Sequence, residues 1–189
     1  MKANEILAGP AKVLTPAQRE FYFETGYLLL PDFISGEWLD RLQSVMAELV
    51  EASRAVTKSD AKFILEAGHS PATPRLRRVT SPVEHHPLYW EFASSSPITD
   101  IAEDLLGPGV KFHHSKLNFK AEGGGMAIQW HQDFPFMPHT NSSVLTIGVV
   151  FGGCGRLDGA HGGGARKSQG RAVPAVQRQG AMGWSNPAR

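Results

Sequence analysis

The sequence has almost no cysteine and no long apolar run, and both shortages exclude classes of protein. A single cysteine, Cys154, excludes an internal disulfide and favours a reducing compartment. No segment approaches the roughly 18 consecutive apolar residues that a membrane-spanning helix needs. The N-terminal stretch is interrupted by Glu5, so it does not have the apolar core of a signal peptide. We therefore expect a cytoplasmic protein with no membrane partner.

Acidic residues are scarce near the C-terminus. Residues 152–189 contain one acidic residue, Asp158, against six basic residues, and they hold 10 of the 20 glycines. The formal net charge of the whole chain is only +1, which gives no bulk argument for a nucleic-acid partner. The shift in composition predicts an N-terminal tail over residues 1–14, a partial domain over residues 15–151 and an atypical tail over residues 152–189. Because this last segment has few large apolar residues, we expect it to be disordered.

Three segments in the N-terminal half carry the signals of helix ends. Thr15 and Gln18 have the spacing of a capping box, and Gly26 is the expected end of the helix that they open. Ser35 and Ser96 are the expected N-caps of two further helices. At 189 residues, the chain is long enough for one domain with a hydrophobic core, on which these helices would pack.

The pattern changes from helical to extended along the chain. Residues 54–87 contain several prolines and are predicted to form a long ordered loop, in which "RLRR" (residues 75–78) is a solvated surface turn. "VKFHHSKLNFKAE" (110–122) is predicted to be a strand, with Val110, Phe112, His114, Lys116 and Asn118 on one face and His113, Ser115, Leu117 and Phe119 on the other. "SVLTIGVVF" (143–151) is rich in β-branched residues, as strands are. Helices followed by strands indicate an α+β protein whose helices pack outside a β-sandwich or barrel.

The stretch "WHQDFPF", residues 130–136, contains two candidate metal ligands. Residues two apart in a strand point to the same side, so His131 and Asp133 converge, with about 6–7 Å between them along the backbone. An imidazole and a carboxylate are two of the three ligands in the two-histidine, one-carboxylate site of non-haem iron enzymes. Alone, such a pair is more often an ordinary surface or core pair. The flanking tryptophan and phenylalanines favour a dry pocket and hence the metal site.

The block "HSKLNFKAEGGGMAIQWHQDFPFMPHTN", with "FYFETGYLLLPDFIS" upstream, resembles the phytanoyl-CoA dioxygenase family. The resemblance covers about residues 15–151 and implies a double-stranded β-helix, or jelly-roll, with flanking N-terminal helices. It also implies an Fe(II)- and 2-oxoglutarate-dependent dioxygenase that uses dioxygen to hydroxylate a small organic substrate. By this resemblance His131 and Asp133 are two iron ligands, and Lys116 and Gln132 lie beside 2-oxoglutarate.

Two of these residues carry further implications. Lys116 could equally be a solvent-facing strand lysine with no role in binding the co-substrate. Halogenating relatives of this chemistry lack the carboxylate ligand, which makes room for halide. The presence of Asp133 therefore implies hydroxylation.

The other histidines are predicted to be structural. His69, His85 and His86 lie in proline-bounded loops. His113 and His114 should point to opposite faces of the predicted strand, and one of them could line the pocket. His139 follows a proline just past the candidate ligands, and we favour a structural role in its loop over a contact with the substrate.

Residues 152–189 contain no match for the second iron histidine or for the arginine that binds 2-oxoglutarate in relatives. His161 lies among glycines, with no strand to orient it. Read one base out of frame, codons for "HGGGARKSQG" (161–170) can encode Met-Val-Val-Val-Pro-Gly-Ser-His-Lys-Gly, which includes the turn expected there. We infer a frameshift near residues 150–153. In the present frame we expect a truncated barrel with open sheet edges, no catalytic activity and a tendency to aggregate.

Two other functions are compatible with the same residues. One is a cupin-like metal-binding protein or isomerase that does not use 2-oxoglutarate, which iron-dependent succinate formation would distinguish. The other is a non-enzymatic remnant, which predicts that residues 1–151 fold stably without metal. The basic, glycine-rich tail has no interleaved aromatic residues, so we expect no nucleic-acid partner.

Overall fold

A computed structural model of the chain describes residues 2–120, 133, 139–141, 143–150 and 175–178. These residues contain helices α1 (Ala3–Ala8), α2 (Pro16–Thr25), α3 (Gly36–Ser53), α4 (Pro82–His85), α5 (Pro87–Ser95) and α6 (Pro97–Leu106). They also contain strands β1 (Tyr27–Leu29), β2 (Phe63–Leu65), β3 (Leu76–Thr80), β4 (Lys116–Asn118), β5 (Leu145–Gly148) and β6 (Ala175–Arg178). Within these residues, no helix combines the length and apolar character needed to cross a bilayer.

The ends of α2, α3 and α6 lie at the residues whose side chains cap them. Thr15 Oγ1 accepts a hydrogen bond from the Gln18 backbone N–H at 3.2 Å, and Gln18 Oε1 accepts one from the Thr15 N–H at 2.8 Å. Gly26 ends α2 in the left-handed region, with φ of 81°, where a side chain would be strained. The hydroxyls of Ser35 and Ser96 cap α3 and α6. The three helices predicted from local signals are therefore confirmed.

Two antiparallel sheets of three strands each lie within the described residues, in the orders β1–β6–β5 and β2–β3–β4. In the second sheet, Val79 pairs with Leu117, and both side chains are buried. Helices α3 and α5 pack on this side, in a cluster of buried residues: Leu42, Val45, Leu49, Leu88, Tyr89, Phe92, Phe63, Leu76, Val79 and Leu117 among them. Neighbouring positions on β3 and β4 must point to the opposite side of the sheet.

A second cluster of buried residues joins the other sheet to α2 and α6. Its members are Leu14, Tyr22, Leu28, Leu30, Ile101 and Leu105, with Leu145 and Ile147 of β5 packed against them. On β5 the exposed Thr146 separates the half-buried Leu145 and Ile147, which is the alternation expected of a strand with one covered face. A mixed fold with helices packed on antiparallel sheets is thus confirmed.

The prediction of one long loop over residues 54–87 is wrong, because β2, β3 and α4 lie there. Strands β2 and β3 pair through Phe63–Val79 and Ile64–Arg78, and their register shifts between Ile64 and Leu65. The buried Leu76 and Val79 are consequently three residues apart. This irregularity breaks the two-residue period that identifies a strand in a sequence. "RLRR" leads into and begins β3, and it is not a surface turn.

The predicted N-terminal tail, residues 1–14, is an integral part of the fold. Ile6 of α1 is buried, as is Leu14. The carboxylate of Asp104, a buried residue of α6, accepts hydrogen bonds from three consecutive backbone N–H groups of Lys12, Val13 and Leu14, at 2.7, 2.9 and 2.8 Å. The sequence prediction failed here because the partner lies about 90 positions away.

Arg19 of α2 holds the other side of the same segment. Its buried guanidinium donates from Nε to the carbonyl oxygen of Asp104 at 3.1 Å and from Nη1 to that of Gly9 at 3.0 Å. It also donates to the carbonyl of Ile6. Residues 2–14, bound between Asp104 and Arg19, are called the N-terminal clasp below.

Four residues of the predicted C-terminal tail form β6, which lies between β1 and β5. Leu28 pairs with Val176, and Val176 also pairs with Ile147. The prediction of disorder is therefore wrong for Ala175–Arg178, because backbone pairing on both sides does not depend on large side chains. The other residues of 152–189 lie outside the described residues, and the domain limits 15–151 remain a prediction.

Strand β4 is shorter than the predicted strand over residues 110–122. It comprises Lys116–Asn118, whose exposed–buried–exposed pattern agrees with the predicted alternation of Lys116 and Asn118 against Leu117. Strand β5 likewise lies within the predicted 143–151. Residues 127–132 of the strand expected to carry "AIQWHQD" lie outside the described residues, and its last residue, Asp133, lies in a bend.

Candidate functional site

Asp133 is the one predicted iron ligand that lies within the described residues. It is half-buried and sits in a bend of the backbone. Its neighbours His131 and Gln132, predicted to bind iron and 2-oxoglutarate, lie outside the described residues. Their roles therefore stay predictions.

Lys116 begins β4 and points away from the packed helices. It pairs with Thr80 of β3, next to the buried pair of Val79 and Leu117. Its side chain is exposed. The side of the sheet that carries Arg78, Thr80, Lys116 and Asn118 is called the polar face below.

His114 brings two of the predicted site residues together. Burial, followed by the positive charge of Lys116 and the neighbouring His113, lowers the pKa of the His114 imidazole, whereas the negative charge of Asp133 opposes this shift. Charges act on one another only over short distances in salt solution. Lys116 and Asp133 therefore both lie close enough to His114 for their charges to act on its imidazole.

Three exposed histidines form a cluster at this end of the sheet. The Nδ1 atoms of His113 and His114 are 2.7 Å apart, and the rings of His113 and His139 have centroids 4.9 Å apart. The prediction that His113 and His114 point to opposite faces is wrong, since β4 begins only at Lys116 and strict alternation does not apply before it. That one of them lines the pocket stays a prediction.

Arg78 is a residue that the sequence reasoning did not place in the site. It pairs with Asn118, and its Nε donates to Asn118 Oδ1 at 3.0 Å. Its half-buried side chain thus lies on the polar face with Lys116. The signal that could have placed Arg78 there is the pair of apolar residues Leu76 and Val79, which identify β3 despite their irregular spacing.

His69 has the structural role predicted for it. Its Nδ1 accepts a hydrogen bond from the Arg75 backbone N–H at 2.9 Å, and its Nε2 lies 3.2 and 3.0 Å from the carbonyl oxygens of Ser53 and Val56. These contacts tie the β2–β3 connection to the end of α3. His86 similarly caps α5 through its Nδ1, which accepts from the Leu88 N–H at 3.1 Å.

The described residues fit part of a metal site. No three of their His, Cys, Asp or Glu side chains are grouped so as to hold a metal ion. Asp133 nevertheless offers a half-buried carboxylate, and the lowered pKa of the nearby His114 favours its neutral imidazole. Oxygen and neutral imidazole donors are those that a non-haem Fe(II) centre uses. Asp133 thus fits one position of such a centre.

The sequence matches the phytanoyl-CoA dioxygenase family over residues 22–161, so the chain belongs to this family. Its relatives include a "Probable alpha-ketoglutarate-dependent hypophosphite dioxygenase" of Stutzerimonas stutzeri, 31% identical over 143 residues, which are 76% of this chain and 49% of that protein. A "Methylphosphonate hydroxylase" of Gimesia maris is 30% identical over 122 residues, 65% of this chain and 45% of that protein. The chain thus spans about half the length of these relatives.

The fold is similar to that of EctD from S. alaskensis. The crystal structure of that protein with bound Fe superposes with a TM-score of 0.69 at 20% sequence identity, covering 92% of this chain and 73% of EctD. A second structure of EctD, with 2-oxoglutarate and 5-hydroxyectoine, gives a TM-score of 0.70, also at 20% identity, covering 92% of this chain and 72% of that one. An ectoine dioxygenase of Sphingopyxis alaskensis is 27% identical over 121 residues, 64% of this chain and 38% of that protein.

Proposed function

We propose that the chain derives from an Fe(II)- and 2-oxoglutarate-dependent dioxygenase that hydroxylates a small polar molecule. The observation that carries the proposal is membership of the phytanoyl-CoA dioxygenase family. Lys116 is exposed on β4, and the charges of Lys116 and Asp133 both act on His114, which supports it. Bound together, iron and 2-oxoglutarate supply the oxidising chemistry that couples dioxygen, through loss of carbon dioxide, to hydroxylation of a substrate.

The residues of this chain would hold the reactants as follows. His131 and Asp133 bind iron, and Asp133 supplies an oxygen ligand. Lys116 and Gln132 bind 2-oxoglutarate, and the ammonium of Lys116 is a suitable partner for one of its carboxylates. The core below β4 keeps water from the covered side of the sheet, so that Lys116 is presented from a rigid strand.

The strands described above, except β6 in the segment inferred to be out of frame, are proposed to be parts of one double-stranded β-helix. The sheets in which they lie are antiparallel, as that fold requires, and the similarity to EctD extends over most of the chain. In this arrangement the helices α3 and α5 cover the outside of the β2–β3–β4 sheet, and the polar face lines the interior. The site would then lie between the sheets.

The substrate is proposed to be small. The relatives are named for hypophosphite, methylphosphonate and ectoine, all of which are small, polar molecules. Small polar substrates are held by a few well-placed polar groups, which the polar face supplies.

The second iron histidine is proposed to lie in a shifted reading frame. Residues 161–170, read one base later, can supply the Pro-Gly-Ser-His-Lys-Gly turn, and the histidine and arginine would follow further on. Resequencing of the gene through codons 145 to 190 and beyond tests this. A missing or extra base supports the proposal, and an unchanged frame refutes it.

Metal binding tests the assignment of Asp133. We expect Fe(II), or Mn(II) as a stable substitute, to bind weakly to the present chain and to lose this binding in Asp133→Ala. Asp100→Ala, which removes an exposed carboxylate of α6, is the control and should bind metal as the parent chain does. Equal binding by all three proteins would contradict the assignment. Succinate formation is expected only after the frame is restored, and its absence then would favour a cupin-like protein without 2-oxoglutarate.

A further inference from the structure

Arg78 and Lys116 are neighbours on the polar face. In the β3–β4 ladder, the pairs Arg78–Asn118 and Thr80–Lys116 are separated by one pair, Val79–Leu117, whose side chains point to the opposite side. Arg78 and Lys116 therefore occupy diagonal positions on one side of the sheet. Diagonal neighbours of an antiparallel pair lie roughly 7–8 Å apart, within reach of long side chains. The sheet therefore places two cations side by side.

Their charges are not neutralised within the part of the chain that the structure describes. The ion pairs found there involve Lys12, Arg41 and Arg54, and neither Arg78 nor Lys116 takes part in one. Two like charges at this distance repel each other, and half-burial of Arg78 strengthens the effect. An anion bound between them would relieve the repulsion.

Asn118 fixes the direction in which Arg78 can bind. Because Asn118 Oδ1 accepts from Nε, one edge of the guanidinium is engaged by the sheet. Among the residues that the structure describes, no hydrogen bond engages Nη1 or Nη2 of Arg78, and these two atoms suit a ligand with two oxygens, as in a bidentate pair with a carboxylate or a phosphonate. Asn118 is thus a positioning residue for Arg78.

We propose that Arg78 binds the oxyanion group of the substrate, and that the substrate is a small molecule carrying a carboxylate or phosphonate. The inference rests on the proposed function, in which Lys116 is occupied by 2-oxoglutarate. Arg78, diagonal to Lys116 on the adjacent strand, is then the cation that remains on the polar face for a second anion. This assigns a substrate class and a specificity-determining residue on β3, outside the segment that carries the candidate iron ligands.

Binding of simple oxyanions to the full-length chain tests the proposal. Methylphosphonate and acetate are titrated separately, with EDTA present, and binding is followed by the ³¹P or ¹³C resonance of the probe. We expect at least one of the two to bind, and Arg78→Gln to weaken that binding by about tenfold or more, as for loss of a charge-assisted pair. Arg78→Lys should retain part of the affinity. Arg41→Gln, which removes the same charge from α3, should bind like the parent chain.

The outcomes separate this inference from the proposed function. Preference for methylphosphonate or for acetate identifies the group, and either supports the role of Arg78. Absence of binding by the parent chain, or equal binding by Arg78→Gln, overturns it. A loss confined to 2-oxoglutarate, titrated in the same way, also overturns it, because Arg78 would then serve the co-substrate. Metal binding is measured in a separate titration without EDTA, so failure of the metal assignment would be seen independently of oxyanion binding.

Discussion

Charged groups are used differently in the N-terminal clasp and on the polar face. In the clasp, the buried carboxylate of Asp104 accepts three backbone N–H groups, and the guanidinium of Arg19 donates to three carbonyls. On the polar face, Arg78 has a single side-chain partner and Lys116 joins no ion pair within the described residues. Polar groups whose hydrogen bonds are all made within the protein stabilise a fold, whereas polar groups with unused hydrogen-bond donors are available to a ligand.

The largest effect on stability is expected from removing the Asp104 carboxylate, which accepts the hydrogen bonds of the N-terminal clasp. Asp104→Ala leaves the buried backbone N–H groups of residues 12–14 without their partner, and each such group costs about 1–3 kcal/mol when unsatisfied. We expect the free energy of unfolding to fall by about 3 kcal/mol or more, as measured from the urea midpoint at constant slope.

Asp100→Ala is the matched control for Asp104→Ala, one turn away on the same helix. Asp100 is 40% exposed and pairs with Lys12 at 3.0 Å, so its loss should cost less than about 1 kcal/mol. Similar urea midpoints for the two variants would show that residues 2–14 contribute little to stability, which would contradict the role assigned to the N-terminal clasp.

An intermediate effect on the free energy of unfolding is expected on the buried side of β3, and little effect on its polar side. Val79 is fully buried against α3 and α5, so Val79→Ala should lower the free energy of unfolding by about 1–3 kcal/mol through lost burial and a small cavity. Arg78→Gln, one residue away on the polar face, should leave stability unchanged or slightly raised, because it removes repulsion from Lys116. Equal destabilisation by both variants, measured by urea unfolding, would make Arg78 a structural residue.

The smallest effect is expected at the exposed end of the clasp and depends on pH. The hydrogen bond from the Lys12 ammonium, followed by that from the Gly109 N–H, holds the pKa of Glu103 below its usual 4.5. A carboxyl whose pKa is lowered by folding stabilises the fold above its unfolded pKa, and the contribution disappears as the pH falls through the lowered value. Glu103→Gln should therefore weaken the loss of stability on acidification below about pH 4.5.

The same substitution tests the alkaline side. Hydrogen bonds to Glu103 and then Asp100 raise the pKa of Lys12 above 10.5, so this pair stabilises the fold below pH 10.5 and ceases to do so as the pH rises through the raised value. Thermal unfolding across both ranges, with Glu91→Gln as a surface control, is the measurement. A pH profile identical to that of the parent chain would show that the Lys12–Glu103 contact does not persist in solution.

Local signals identified the helices but not the sheet that carries Arg78. Thr15, Ser35 and Ser96 cap helices within three residues of themselves, so their sequence neighbours are sufficient to predict them. Strand β3 depends on β2 and on β4, which lies about 40 residues further on, and its shifted register hides the alternation. Long-range pairing of this kind leaves no local pattern to read.

In the candidate site, too, some residues could be predicted from the sequence and others could not. Asp133 was identified from its spacing to His131, and Lys116 from the resemblance to a family. The contact between His113 and His114 lies before β4 begins at Lys116, where the alternation rule does not apply. The clasp was missed for a related reason, since Lys12, Val13 and Leu14 lie about 90 positions from Asp104.

The clasp has a consequence for synthesis on the ribosome. Asp104, the acceptor that holds residues 12–14, is synthesised about 90 residues after them. Until then Ile6 and Leu14, buried in the finished protein, lack the helix that covers them. The nascent chain thus exposes these apolar residues until α6 has been made, and a chaperone that binds such residues would meet them before α6 closes over them.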